Sequence, residues 1–409
     1  MFPAALRYTT RRLGIQPVGP HRVLSTASFA MRPSVGPTRL PYVTPCTTTC
    51  TFFHPSHSFT FPRTLSTASS KQTTYSDIPK SLPVWLYGCS AVVFGIVVVG
   101  GLTRLTESGL SIVEWNPITG VVPPMTDAAW DAEWENFVVP TLYYLLRYKL
   151  PRPLPTKLFF IGLGIGFQGV LGWWMVKSGL DERILKDGSV PRVSQYRLAA
   201  HYSAAVALYL GMLSTAIGIQ RDRTLVENAS SVRQLNHPAV KRFRGLVHLS
   251  GMLVALTAVT GAFVAGLDAG LVYNEFPFMG DGIVPPKDEL FDDRYARTGT
   301  DKWWRNLLEN PVTAQFDHRL LATTTFVVLG TLPFAARNLP IKAARRLAAV
   351  TTAAAVVQVS LGISTLLYLV PIPLAAMHQA GSVVLLTCIM ALGGSLRKPS
   401  KMVRYLRRL

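Results

Sequence analysis

The chain has 409 residues, of which 49% are hydrophobic and only 15% charged, and its mean hydropathy is positive. That balance excludes an array of soluble domains and points to a polytopic membrane protein. The net charge of +19 does not call for nucleic acid, because eight of the positive charges fall in the first 76 residues.

Those 76 residues hold seven Arg and one Lys, are rich in Ser and Thr, and contain no acid before Asp77. An Arg-rich, Ser-rich, acid-free leader reads as a mitochondrial transit peptide, the alternative being a plain disordered tail. Residues 1–76 are therefore set apart from the fold, leaving 77–235 and 236–409 as two helix-bundle repeats. Cys46 and Cys50 fall in the leader, while Cys89 and Cys388 sit singly in apolar spans, so no disulfide framework or CxxC site is implied.

Stretches nearly free of charge follow at Leu82–Thr103, Leu158–Val176, Leu198–Ile219, Gly245–Leu267, Leu347–Val370 and Ile372–Leu396. Each is near the ~20 residues that a helix needs to cross a bilayer. Leu320–Ala336 joins them if its helix starts near Gln315 and takes in His318, which makes seven spans. Between Glu135 and Arg147 the apolar run is too short to cross and is interrupted by Pro140.

The second half repeats the first. Gly100–Pro124 aligns with Gly261–Pro286, matching Gly109 to Gly270 and Glu114 to Glu275. Gln168-Gly-Val-Leu-Gly172 returns as Gln358-Val-Ser-Leu-Gly362, and Leu198-Ala-Ala-His201 is echoed by Ala375-Ala-Met-His378. Gly270 to Gln358 spans 88 positions, but Gly109 to Gln168 only 59, so the first copy is short by 29 residues where the second has His318. Loop charges agree. Basic clusters at Arg147–Lys157, Arg221–Arg244, Arg337–Arg346 and Arg397–Arg408 alternate with acidic connections, which requires two crossings between successive basic loops and eight in all. Basic loops would face the matrix, with both ends there. A helix is therefore missing, through a gene-model error or alternative splice, and Phe137–Leu150 is read as its tail.

His318 and His378 enter their helices from the acidic side at similar depth, so together they form a candidate bis-histidine haem site of the kind helix bundles build. His201 is equally shallow but has no first-copy partner. His248 lies at the wrong depth and is read as structural. Arg319 and Arg104 could each hold a haem propionate or a nearby acid, or simply snorkel to the interface. Asp317, beside His318, could orient the site. Trp173-Trp174 and Trp303-Trp304 read as interface-belt residues, and Glu114 and Glu275 as a shared loop geometry.

At GGLTRLTESGLSIVEWNPITG, with QFDHRLLA around His318 and MHQAG around His378, the sequence closely resembles the mitochondrial haem A synthase family over nearly everything after the leader. The resemblance implies an all-α inner-membrane enzyme of two pseudo-symmetric four-helix units related by an axis along the membrane normal. It implies oxidation of the C8 methyl group of haem O, by successive hydroxylations, to the formyl group of haem A for cytochrome c oxidase. His318 and His378 would hold a haem b that relays electrons, His201 would serve the substrate haem, and a matrix ferredoxin system would donate electrons.

The family's second helix carries a Glu-x-x-His-Arg stretch that nothing in Asp131–Leu150 matches. As printed, the chain is expected to bind at most one bis-histidine haem and to make no haem A. Two other readings stand beside the enzyme: a membrane cytochrome that only transfers electrons, and a transporter, which the nearly charge-free midplanes disfavour. Oligomeric state stays open.

Overall fold

The structure, a computed structural model, describes residues 78–106, 139–151, 153–179, 192–227 and 229–400. The leader and the last residues lie outside these, as do 107–138, which include Glu114, Phe137 and the motif-matching loop of the first copy. Among the described residues the protein is all-α, with one isolated bridge between Met279 and Gly282. We number eight helices: α1 (Ser81–Leu105), α2 (139–147), α3 (Leu154–Lys177), α4 (Gln195–Glu227), α5 (Pro238–Gly266), α6 (Pro311–Gly330), α7 (Lys342–Leu367) and α8 (Ile372–Ser395). Among the described residues seven of these, all but α2, are long and apolar enough to cross a membrane, and α6 gains length from the short helix Leu332–Ala336 that follows it.

Proline at the first turn starts α3, α5, α6 and α8, where the missing N–H costs nothing because that group has no partner inside a helix. Asn310 caps α6 by accepting from Val312 N at 2.9 Å. This start, upstream of the apolar stretch itself, brings His318 inside the helix.

The directions of the helices expose the gap. The starts of α1 (Leu82, Leu86) and α3 (Leu154, Leu158) share one buried cluster with the end of α4 (Ala216, Ile219). Thus α1 and α3 run the same way and α4 runs against them. The described part of α2 joins this cluster through Tyr144, whose ring centre lies 5.7 Å from that of Trp85. It sits where the tail of a returning helix would sit, at the basic end. In the second half, α6 fills the equivalent place and packs against both α5 and α7.

The halves meet where α4 and α8 pack against each other and against α1 and α5. On the acidic side, residues 287–309 form a small cap. Asn306 donates to Asp292 O and Lys302 O, and Asn310 to Glu289 O. Burial opposes ionisation of Asp301 in this cap. The backbone N–H groups of Thr298 and Arg297 and the Arg305 guanidinium outweigh that and hold its carboxyl at about 2. A depressed carboxylate pKa stabilises above the ordinary ~3.9 and stops doing so as pH falls through the folded value, so the cap keeps this contribution at pH 5.

Close approach of α5 to the start of α4 depends on Gly266, where a Cβ would lie 2.9 Å from Gln195 Cα. Backbone cannot swing aside as a side chain can. Gly266→Ala is expected to destabilise the protein by about 1–3 kcal/mol, read as a lower thermal midpoint in detergent. Gly245→Ala, with nothing within 4 Å, should leave the midpoint unchanged or slightly raised.

Candidate functional site

One cavity of about 2340 Å³ runs through both halves and is lined by residues of all eight helices. It is largely apolar, and His201, His318 and His378 all line it. His201 and His378 each stand six residues into their helices, so the repeat places them at equal depth. His248 is exposed and lies away from the cavity.

The His318 and His378 rings face each other with centres 6.5 Å apart and planes at 89°. The spacing can be tested against an iron between them. Two metal–nitrogen bonds of about 2 Å, plus about 1.2 Å from each ligating nitrogen to its ring centre, put the centres roughly 6.4 Å apart. The two side chains fit an iron held by one nitrogen from each.

Each of the three rings lies on a glycine of another helix. A Cβ on Gly261 would come within 3.1 Å of His318 Cε1, one on Gly362 within 2.8 Å of His378 Cε1, and one on Gly172 within 3.1 Å of His201 Cε1. The repeated Gln-x-x-x-Gly now has a meaning. Four residues apart on one helix face, its glycine makes room for the ring and its glutamine reaches the ring's Nδ1. Gln168 Nε2 lies 3.2 Å from His201 Nδ1 and donates to His201 O at 2.9 Å, and Gln358 repeats both distances at His378. The Oε1 of either glutamine is buried with no other partner. Both carboxamides, tied to the histidine's own carbonyl, therefore sit on the Nδ1 side of their ring.

For His318 the tautomer follows from bond counting. Thr260 Oγ1 donates its one hydrogen to Thr257 O at 2.8 Å, so at 2.9 Å it accepts from His318 Nδ1–H. Nε2 is then left with its lone pair for a metal. Thr260, which sequence reasoning passed over, is therefore the residue that holds this ring. Asp317 is not: it lies outside the cavity lining, and its Oδ2 is buried without a partner.

Arg319 does line the cavity, but its guanidinium is engaged. It donates to Tyr273 O at 2.7 Å and Phe278 O at 3.1 Å, fastening the 270–278 loop over the site. Gln315 and Asn274 add further bonds to that loop, and Glu275 closes its turn by accepting from Gly280 N. The acid that Arg104 holds is Asp268, at 3.0 Å, and Arg192 grips the other oxygen of the same carboxylate at 2.7 Å. Trp174 and Trp303 are exposed as interface residues would be, but Trp173 lines the cavity. Between the halves, Tyr202 reaches Ser382 at 3.3 Å and Gln379 donates to Val97 O at 2.9 Å, with Gly101 leaving room for the Gln379 side chain.

Fold and cavity define an all-α polytopic membrane protein with a duplicated histidine site. The cytochrome oxidase assembly protein family, COX15-CtaA, matches residues 83–138 and 136–390, and the chain belongs to that family. The match breaks into two stretches where the repeat places the loss. The chain is 43% identical to a haem A synthase–mitochondrial ferredoxin fusion protein of Schizosaccharomyces pombe, over 76% of this chain and 59% of that protein's length. It is 40% identical to haem A synthase COX15 of Saccharomyces cerevisiae, over 80% and 77% of the two chains, and 38% identical to the human protein of that name, over 78% and 83%. The human alignment runs over 357 positions, more than 78% of 409 residues can fill, so the relative has residues that this chain lacks.

Thr260→Val should remove the acceptor for His318 Nδ1–H and weaken haem retention by about 10–100-fold, measured by haem titration of the purified protein. Thr260→Ser should retain it.

Proposed function

We propose that the chain is a haem A synthase, an oxidoreductase that converts the C8 methyl group of haem O to the formyl group of haem A. Family membership supports the activity, and the 6.5 Å spacing of the His318 and His378 rings carries the assignment of sites. In this reading the second-half pair holds a haem b, which supplies one-electron chemistry when bound. Thr260 and Gln358 fix the two rings, and the loop fastened by Arg319 limits access from the acidic side. His201, on its own Gln-x-x-x-Gly cradle, faces the first-half part of the cavity, which receives haem O. The electron-only cytochrome is not favoured, since the curated relatives carry the name of the synthase.

The basic loops lie in the matrix and the acidic cap in the intermembrane space of mitochondria, by the positive-inside rule. A ferredoxin donates the electrons, a role supported by the relative in which synthase and ferredoxin are fused. Residues 1–76 act as the targeting segment.

The test is haem extraction from cells that depend on this chain, beside a version with the family's Glu-x-x-His-Arg helix segment inserted between Glu135 and Arg147. Formyl-bearing haem should be at background for the chain as it stands and should appear on insertion, and His378→Ala in the inserted version should return it to background. No formyl haem from either version contradicts the function, and equal amounts contradict the need for the segment.

A further inference from the structure

The three glycine cradles define a rule, and a fourth glycine departs from it. Gly100 is the first-copy counterpart of Gly261 by the repeat register, and it lines the same cavity as His201. Among the described residues, nothing lies within 4 Å of a Cβ built on it. Nor can a histidine come from elsewhere in this half, because the sequence has none between His57 and His201.

Among the described residues, neither Cys89 nor Met175 substitutes. Cys89 is on α1 but eleven residues before Gly100, about 16 Å away along the helix. Met175 lies one turn from Gly172 on α3, the helix that cradles His201, and so belongs to the side His201 already occupies. Position 99, the counterpart of Thr260, is valine, so this face also lacks the hydroxyl that orients a ring in the second half.

We propose that the first-half cavity of this chain binds haem through His201 alone, leaving the axial position opposite, towards Gly100, open to a small uncharged exogenous ligand such as carbon monoxide or imidazole. The proposal rests on the haem reading of the duplicated cavity. It makes the two halves different in kind: a closed six-coordinate site at His318 and His378, and an open five-coordinate one at His201. An iron with one protein ligand on its axis takes up such ligands, whereas one with two histidines resists them.

The test uses the purified full chain loaded with haem b, reduced with dithionite and exposed to carbon monoxide. The expected result is a shifted Soret band for up to half of the bound haem, with the remainder staying low-spin and unreactive. His201→Ala should abolish the reactive fraction and keep the low-spin one. Gly100→Leu, which fills the open face, should lower carbon monoxide affinity at least several-fold with His201 unchanged. A loaded protein in which no haem reacts overturns the proposal, as does a reactive fraction that survives His201→Ala undiminished. Loss of the low-spin fraction in the unsubstituted chain would instead contradict the second-half site, so the two failures are distinguishable.

Discussion

An imidazole ring resting on the bare backbone of a glycine is the contact from which this bundle's function is built. A helix surface with any side chain at that point would hold the ring away by the thickness of a methyl group or more. With glycine there, the ring comes close to the neighbouring helix through its Cε1. A polar side chain near the same glycine then meets Nδ1: Thr260 for His318, Gln358 for His378 and Gln168 for His201. At His318, where Nδ1 carries the hydrogen, Nε2 keeps its lone pair, and all three histidines line the cavity. Helix spacing, ring orientation and tautomer are thus one arrangement, and each depends on the others.

The second half shows that arrangement complete. Two cradled rings from α6 and α8 meet at the distance an iron needs, under a loop tied down by Arg319 and Asn274. The first half has the same α3 and α4 pieces in the same places, yet α1 and α3 run in parallel, with the described part of α2 at their basic end. Gly100 is therefore, among the described residues, a cradle without a ring. The salt bridges from Arg104 and Arg192 to Asp268 still join the halves on the acidic side, so the first half keeps its position although its site is incomplete.

Much of this was legible in the sequence because membrane spans and duplications leave strong linear signals. The seven spans and the approach of His318 to His378 follow from apolar length, loop charge and register. The Gln-x-x-x-Gly repeat was visible as a repeat, but nothing linear says that its two residues hold a histidine on the next helix. Thr260 was hidden for the same reason: a threonine in an apolar span is unremarkable until its hydroxyl is seen between Thr257 O and His318 Nδ1. Arg319 lines the cavity, but its hold on the 270–278 loop has no linear signal, and Asp317 falls outside the lining because neighbours on a helix point about 100° apart.

The central claim rests on the geometry of one pair, His318 and His378, the proposed haem ligands, whose ring planes stand perpendicular. The most direct measurement is the low-temperature electron paramagnetic resonance spectrum of the oxidised, haem-loaded protein. Perpendicular imidazoles leave two iron d orbitals nearly degenerate, so the account predicts a strongly anisotropic low-spin signal with one dominant g value, which His378→Ala removes. A rhombic low-spin signal of the kind given by parallel rings, or a purely high-spin spectrum, would contradict it.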